Sequence, residues 1–284
     1  MKTYLECVPC FMGQALRASR MATTDEKLIK KVLDETGDMI KHIPMENTPA
    51  ETGLQVYRKV QKITGVADPY KKIKQQHIAE AKELLPGLEK MVDQSSDPLL
   101  TAIRIAIAGN VIDLGINKSF DLVEEIKRIV SQDFALFDYA AFKSELRKAK
   151  SILYIGDNSG ESVFDTVLIR QLKKPVIYAV RSQPIINDVT MKDAIDSGLD
   201  KVARLVDSGS AAPGAILSQC SMQFLKIYKD ADLIISKGQG NYEGLSDEKR
   251  TIFFLLKAKC SVIARHLHVK EGAIVLKGIN LPDL

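Results

Sequence analysis

The sequence contains no tryptophan, and aromatic residues make up only 6% of it. Stacking platforms for single-stranded nucleic acid therefore have little raw material. An excess of one charge is also missing, since 40 basic against 36 acidic residues leave a net charge of +4. That balance gives no ground for a nucleic-acid or anionic-membrane partner. Cysteine is scarce, with four in 284 residues, too few for a disulfide scaffold. No apolar run is long enough to span a bilayer, because the most apolar stretch, 103–116, is broken by Arg104, Asn110 and Asp113. Residues 1–6 lack the apolar core of a secretory signal and include an acid, so a cytoplasmic location is expected. The H-x-x-x-H, G-x-S-x-G and G-x-x-x-x-G-K-[ST] patterns are absent, which removes sequence support for zincin, serine-hydrolase and Walker-type sites. What remains is ordinary globular material, 45% hydrophobic and 27% charged, long enough for one large domain or two ordinary ones.

The two halves of the chain read differently. Residues 1–149 are expected to be a helical domain, partly integrated with the rest. Thr23-x-x-Glu26 has the pattern of a capping box, and Leu28, Ile29, Val32 and Leu33 follow at helical spacing. Val56, Val60 and Ile63 predict a second helix after a proline-containing break at 44–49, and helical patterns cover about 70–92, 98–115, 121–131 and 139–149. No period-2 strand stands out in this half. Residues 150–284 carry short apolar runs at 151–155, 175–180, 231–235, 251–256 and 272–276, with a weaker one at 202–206. Helical patterns such as 162–172 and 213–228 lie between them. Buried strands alternating with helices predict a Rossmann-like α/β domain, a mostly parallel sheet flanked by helices. Ligands of such sheets bind beyond the carboxyl ends of the strands.

The predicted strand ends carry the polar groups. The first runs into Gly156-Asp157-Asn158-Ser159-Gly160-Glu161, the second into a segment with Asn187-Asp188-Val189-Thr190. Carboxylate and amide oxygens suit a hard cation, but an Asx turn and helix caps account for the same residues, and both readings stand on either motif alone. Two acids at neighbouring strand ends would repel unless a cation or a proton lies between them, which favours a metal site. The turn Ser208-Gly209-Ser210-Ala211-Ala212-Pro213-Gly214 fits an anion nest or a plain loop, with Pro213 suited to a first helical turn. A later strand delivers Lys237-Gly238-Gln239-Gly240-Asn241, a glycine-rich segment around a lysine that could offset phosphoryl charge. In the helical half Asn110 and Asp113 share a helix face, either as ligand groups or as a satisfied interhelical contact. Cys7-Val8-Pro9-Cys10 has the spacing of a metal half-site or a redox pair. Cys220, Cys260, His266 and His268 read as structural.

Taken together, Gly156-Asp157-Asn158-Ser159-Gly160-Glu161, Asn187-Asp188-Val189-Thr190 and Lys237-Gly238-Gln239-Gly240-Asn241-Tyr242-Glu243-Gly244 resemble the damage-control phosphatase family, long known as domain of unknown function 89. Asp68-Pro69-Tyr70 and Ala108-Gly109-Asn110-x-x-Asp113 look like that family too, and Cys7-x-x-Cys10 looks like its prokaryotic and archaeal branch. The resemblance implies a helical N-terminal domain on a Rossmann-like domain, and metal-dependent hydrolysis of small phosphate monoesters. It implies Asp157, Asn158 and Asp188 as ligands of a divalent ion (Mn²⁺, Ni²⁺, Co²⁺ or Mg²⁺), and Lys237, Gly238 and Asn241 on a substrate loop. It further implies Lys257 as a phosphate contact, with Lys259 two residues on. Asn110 and Asp113 would then hold substrate hydroxyls, and Asp157 or Asp188 would take a proton from metal-activated water, attack by Asp157 itself staying open. The expected partner is a small phosphorylated metabolite, and a homo-oligomer is left open. The competing readings are a methyltransferase or ligand-binding protein on a similar sheet, and a non-enzymatic metal-binding protein using Cys7 and Cys10.

Overall fold

The computed structural model describes residues 1–109 and 119–282. Six helices come first: α1 (Cys7–Ala22), α2 (Glu26–Ile40), α3 (Pro49–Thr64), α4 (Lys71–Asp93), α5 (Pro98–Ala108) and α6 (Ser119–Ser131). Then β1 (Phe134–Phe137), α7 (Tyr139–Lys148), β2 (Ile152–Ile155), α8 (Glu161–Leu172), β3 (Val176–Val180), α9 (Met191–Ser197) and β4 (Arg204–Asp207) alternate. The chain ends with α10 (Met222–Asp230), β5 (Leu233–Lys237), α11 (Gly238–Leu245), β6 (Ile252–Lys257), α12 (Ser261–Leu267) and β7 (Ile274–Ile279). No helix among the described residues is long and apolar enough to cross a membrane.

The strands form one sheet in the order β1-β7-β6-β5-β2-β3-β4. Every pairing is parallel except β6 with β7. Successive strand residues point to opposite faces, and the packing follows that alternation. Ile152, Tyr154, Leu233 and Ile235 face a core with α4, α5, α7 and α8. Leu153, Ile155, Ile234 and Phe254 face a core with α1, α3, α10 and α12. Helices from the first 108 residues therefore cover both faces of the sheet. Each fully buried aliphatic side chain contributes about 1.5–3 kcal/mol. From β2 the chain steps outward through β3 to β4, then returns to the other side of β2 as β5. The crevice between those directions is the topological switch point, where such sheets bind ligands.

Several expectations need correction. The first 149 residues do contain a strand, β1, which pairs with β7 at the sheet edge. It is four residues long and alternates only between half-buried and exposed positions, too short for a period-2 pattern to stand out. Thr23 does not open a capping box. Asp25 caps α2, accepting the amides of Lys27 and Leu28, while the Thr23 hydroxyl accepts the Asp25 amide. The reciprocal box forms at Thr48 and Glu51, with Pro49 in the first turn of α3. Residues 213–221 form no α-helix, only a single 3₁₀ turn at Leu217–Gln219. Ser221 caps α10 by accepting the Phe224 amide, and Pro213 and Gly214 instead pack against the α11 backbone. The glycine-rich segment after β5 is the helix α11, not a loop. Gly240 and Gly244 face the Pro213 and Ala215 carbonyls, where a Cβ would collide.

The protein's amino terminus anchors α11, since the Met1 ammonium donates to the Glu243 carbonyl at 3.1 Å and pairs with Asp247 at 3.1 Å. Burial pushes the Glu243 carboxyl up from 4.5 to about 7, opposed by a hydrogen bond from Gln239. The folded state therefore keeps a proton that the unfolded chain releases, and stability falls as pH rises from about 4.5 to 7. Glu243→Gln should remove that fall. In urea unfolding it is expected to match the wild type near pH 4 and exceed it by about 3 kcal/mol at pH 8. Equal stabilities at pH 8 would contradict this assignment.

Candidate active site

The loops that leave β2 and β3 are zipped together by backbone. The Val189 amide donates to the Asp157 carbonyl at 2.8 Å, and the Ser159 amide to the Asn187 carbonyl at 2.8 Å. Asn158 and Asp188 pair as an isolated antiparallel bridge. This pairing brings the two strand-end acids into one site. No side chain among the described residues caps α8, and Thr190 and Asp193 make the capping box of α9. The capping account of Asp157, Asn158 and Asp188 therefore falls away, and their side chains turn into the crevice.

Asp157, Asn158 and Asp188 are all buried. The Asn158 amide donates to Asp157 Oδ2 at 3.2 Å and to Glu161 Oε2 at 3.4 Å. Burial, then the charges of Asp188 and Glu161, push the Asp157 carboxyl well above the usual carboxylate range. Burial also raises Asp188, opposed by the Arg181 guanidinium. Arg181 Nε donates to Asp188 Oδ2 at 2.7 Å and its NH2 group to Asn241 Oδ1 at 2.9 Å. Gly238 has a left-handed backbone (φ +74°), and a Cβ there would overlap the Asp157 carboxylate. That position admits only glycine while Asp157 keeps its place.

Beneath the acids lies a second polar layer. Lys237, fully buried, donates to the Ala106 carbonyl at 2.9 Å, to Asp165 Oδ1 at 2.7 Å and to Glu161. Burial works against its charge, but Asp165 and Glu161 more than offset that and hold the ammonium above its ordinary pKa. Tyr154 and Tyr178, stacked at 5.2 Å, donate to the two oxygens of Asp165 at 2.6 and 2.8 Å. All three ammonium hydrogens of Lys237 are thus spent inside the protein. Asn241 is likewise fully buried. Its amide donates to the Gly156 and Lys237 carbonyls at 2.9 and 2.7 Å, tying the end of β2 to the end of β5. Lys237 and Asn241 brace the acids and the ends of β2 and β5 from within the fold.

Among the remaining predicted residues, Asn110 and Asp113 lie outside the described residues. Gly109, just before them, packs so closely on Glu161 and Phe164 that a Cβ would meet Phe164 at 3.0 Å. Lys257 lines a depression with Arg128, Gln132, His268 and Lys270. Lys259, exposed at the crevice edge, has a charge that reaches both Asp157 and Asp188. His266 is structural, its Nδ1 2.9 Å from the Tyr242 hydroxyl. The sequence reading gave no role to Glu161, Asp165 or Arg181. A lysine in an apolar strand was the available signal, since a buried ammonium needs counter-ions.

The charges of this cluster test whether a cation fits. Asp157, Glu161, Asp165 and Asp188 are buried, against buried Lys237 and Arg181. Burial opposes ionisation of both Asp157 and Asp188, so protons or a cation must accompany the pair, and a divalent ion would serve. Oxygen donors from two acids and an amide suit a hard or borderline divalent ion. Among the described residues no three His, Cys, Asp or Glu side chains are set to hold an ion by themselves, so Asn158 and water would complete the shell.

Fold and site together define an α/β protein with a buried acidic crevice at the switch point of its sheet. The family model of the damage-control phosphatase ARMT1-like domain matches residues 3–275, and the chain belongs to that family. A damage-control phosphatase of Pyrococcus horikoshii is 34% identical over 282 residues, covering 97% of each chain. A damage-control phosphatase of Archaeoglobus fulgidus is 35% identical over 285 residues, covering 96% of this chain and 98% of the other. The crystal structure of a DUF89 family protein from Pyrococcus horikoshii superposes with a TM-score of 0.88 at 33% identity, over 97% of this chain and 98% of that one.

Proposed function

We propose that this protein is a divalent-metal-dependent phosphatase that hydrolyses small phosphate monoesters, sugar phosphates or damaged phosphometabolites. The two buried strand-end acids, Asp157 and Asp188, which the paired loops after β2 and β3 bring into one site, carry the reading. Membership of a family with curated members named damage-control phosphatases supports it. Asp157, Asn158 and Asp188 would hold the ion, with Mn²⁺, Ni²⁺, Co²⁺ and Mg²⁺ as candidates. When bound, the ion supplies Lewis-acid charge to the phosphoryl group. Arg181 fixes the Asp188 carboxylate, and Asn241 fixes Arg181. A carboxylate oxygen of Asp157 or Asp188 takes the proton of the attacking water. Lys259, at the exposed edge, meets the charge that spreads over the phosphoryl oxygens. Asn110 and Asp113 would hold substrate hydroxyls, and the close packing of Gly109 on Glu161 supports that placement.

Two lysines separate this account from its nearest variant. Lys259→Met is expected to lower kcat/KM roughly tenfold or more, mostly through KM, and Lys257→Met to change it by less than about twofold. The reverse order would return the phosphate contact to Lys257. The function itself is tested by assaying phosphate release from a panel of sugar and nucleoside monophosphates with each of the four ions. Release from at least one ester is expected, and none from any ester with any ion would contradict the reading.

A further inference from the structure

The phosphatase reading uses no cysteine, yet three of the four gather at one place. Cys7 and Cys10 lie in the first turn of α1, and Cys260 immediately precedes α12. Glu243, Cys10 and Cys260 all lie within electrostatic reach of the Cys7 thiol. Gln14 donates to Cys10 Sγ at 3.3 Å, and Gln239 donates to Cys260 Sγ at 3.5 Å. The two helix cysteines differ in access, Cys7 being buried and Cys10 exposed.

Residues i and i+3 share a helix face with Cβ atoms about 5–6 Å apart, so a disulfide spanning about 3.5–4.5 Å between Cβ atoms would need the first turn of α1 to tighten. Pro9 sits where a helix tolerates proline, because first-turn amides have no intrahelical partner. Burial pushes the Cys7 thiol up, while Cys10 stands open to solvent. Cys260 belongs to another element and is held by Gln239, whose Oε1 also accepts the Lys259 amide at 3.1 Å. Moving Cys260 onto Cys7 would break both contacts, whereas Cys10 turns toward Cys7 within its own helical turn. A structural soft-metal site would need four ligands, and no three acid, thiol or imidazole side chains among the described residues are so placed.

We propose that Cys7 and Cys10 are a reversible dithiol–disulfide pair that exchanges with small-molecule disulfides, Cys10 attacking and Cys7 resolving. The exposed Cys10 thiol loses its proton to solvent, and its sulfur attacks a disulfide RS–SR. That S–S bond breaks, RS⁻ leaves, and Cys10 carries a mixed disulfide. The Cys7 thiol then loses its proton and attacks Cys10 Sγ, expelling the second RS⁻. Two protein thiols are oxidised by two electrons, and one small disulfide is reduced to two thiols. The Tyr57 hydroxyl lies within electrostatic reach of both Cys10 and Asp188. The inference stands independently of the phosphatase reading, because its readout is the covalent state of the thiols.

The test equilibrates the full chain with reduced and oxidised glutathione across a series of ratios, quenches with acid, and reads intact mass and peptide maps. Expected is the loss of two hydrogens with a Cys7–Cys10 link, reversed by dithiothreitol. Cys7→Ser should trap glutathione on Cys10, and Cys10→Ser should take up glutathione at Cys7 about tenfold more slowly, because Cys7 is buried. A Cys7–Cys260 link, a wild type that stops at the mixed disulfide, or thiols still reduced in the most oxidising buffer would overturn the proposal. So would one tightly bound zinc per chain that shields both thiols.

Discussion

Asp157→Asn is expected to lower the rate of phosphate release by about a thousandfold or more while leaving the metal-free protein at least as stable as the wild type. The activity loss follows from removing a carboxylate that would hold the divalent ion, since such ions contribute several kcal/mol of transition-state stabilisation. The stability result follows from the charges. Burial and the neighbouring Asp188 and Glu161 charges already oppose ionisation of Asp157. A neutral amide of the same shape removes that repulsion and can still accept from the Asn158 amide. Asp188→Asn separates the two effects. It should also abolish activity but destabilise, because Arg181 loses the carboxylate that it holds at 2.7 Å. Chemical denaturation together with initial-rate assays of the two variants checks both halves. Activity above about a tenth of wild type in Asp157→Asn would contradict its placement in the reaction.

Lys237→Met is expected to reduce the unfolding free energy at pH 7 by about 3–5 kcal/mol. The side chain touches no solvent, and its ammonium holds Glu161 and Asp165 together from the end of β5. Without it, two buried carboxylates face each other and Asp157 with no buried ammonium between them. The deficit should shrink on acidification, because the stranded acids can then bind protons. The folded variant holds protons that its unfolded chain releases, so its stability falls as pH rises. The double variant Lys237→Met with Asp165→Leu should recover part of the loss, since it removes a stranded charge along with its partner. A loss below about 1 kcal/mol in the single variant would show that the acids do not depend on Lys237.

The elements most legible in the sequence were the central strands. β2, β5 and β6 are buried almost throughout, so each appears as a continuous apolar run bounded by breaks. Strand β1 was hidden because it is short and alternates only between half-buried and exposed positions. The reversed direction of β7 was hidden for a different reason, since pairing direction depends on where the chain crosses the sheet and leaves no local pattern. At the site, Asp157, Asn158 and Asp188 stood out because they fall just beyond apolar strands, and the structure brings these three polar groups together. The role of Lys237 was not legible. It stands beside glycines and reads as a loop cation, while its counter-ions Glu161 and Asp165 lie 76 and 72 residues away. The glycines misled in the same way, because they serve contact with the 213–215 backbone rather than flexibility. Lys257 and Lys259, two residues apart, differ in surroundings only in three dimensions, where Lys257 lines a depression with Arg128 and Lys270 and the charge of Lys259 reaches Asp157 and Asp188.

The central claim is that a divalent ion at Asp157, Asn158 and Asp188 makes this protein a phosphatase. The most direct test strips the protein with chelator and follows phosphate release from its best ester as Mn²⁺ is titrated back. The account predicts a rate near background in the stripped protein, rising and saturating near one ion per chain, with no rise in Asp157→Asn. A stripped protein that hydrolyses the ester at full rate, with no response to added ion, would contradict it.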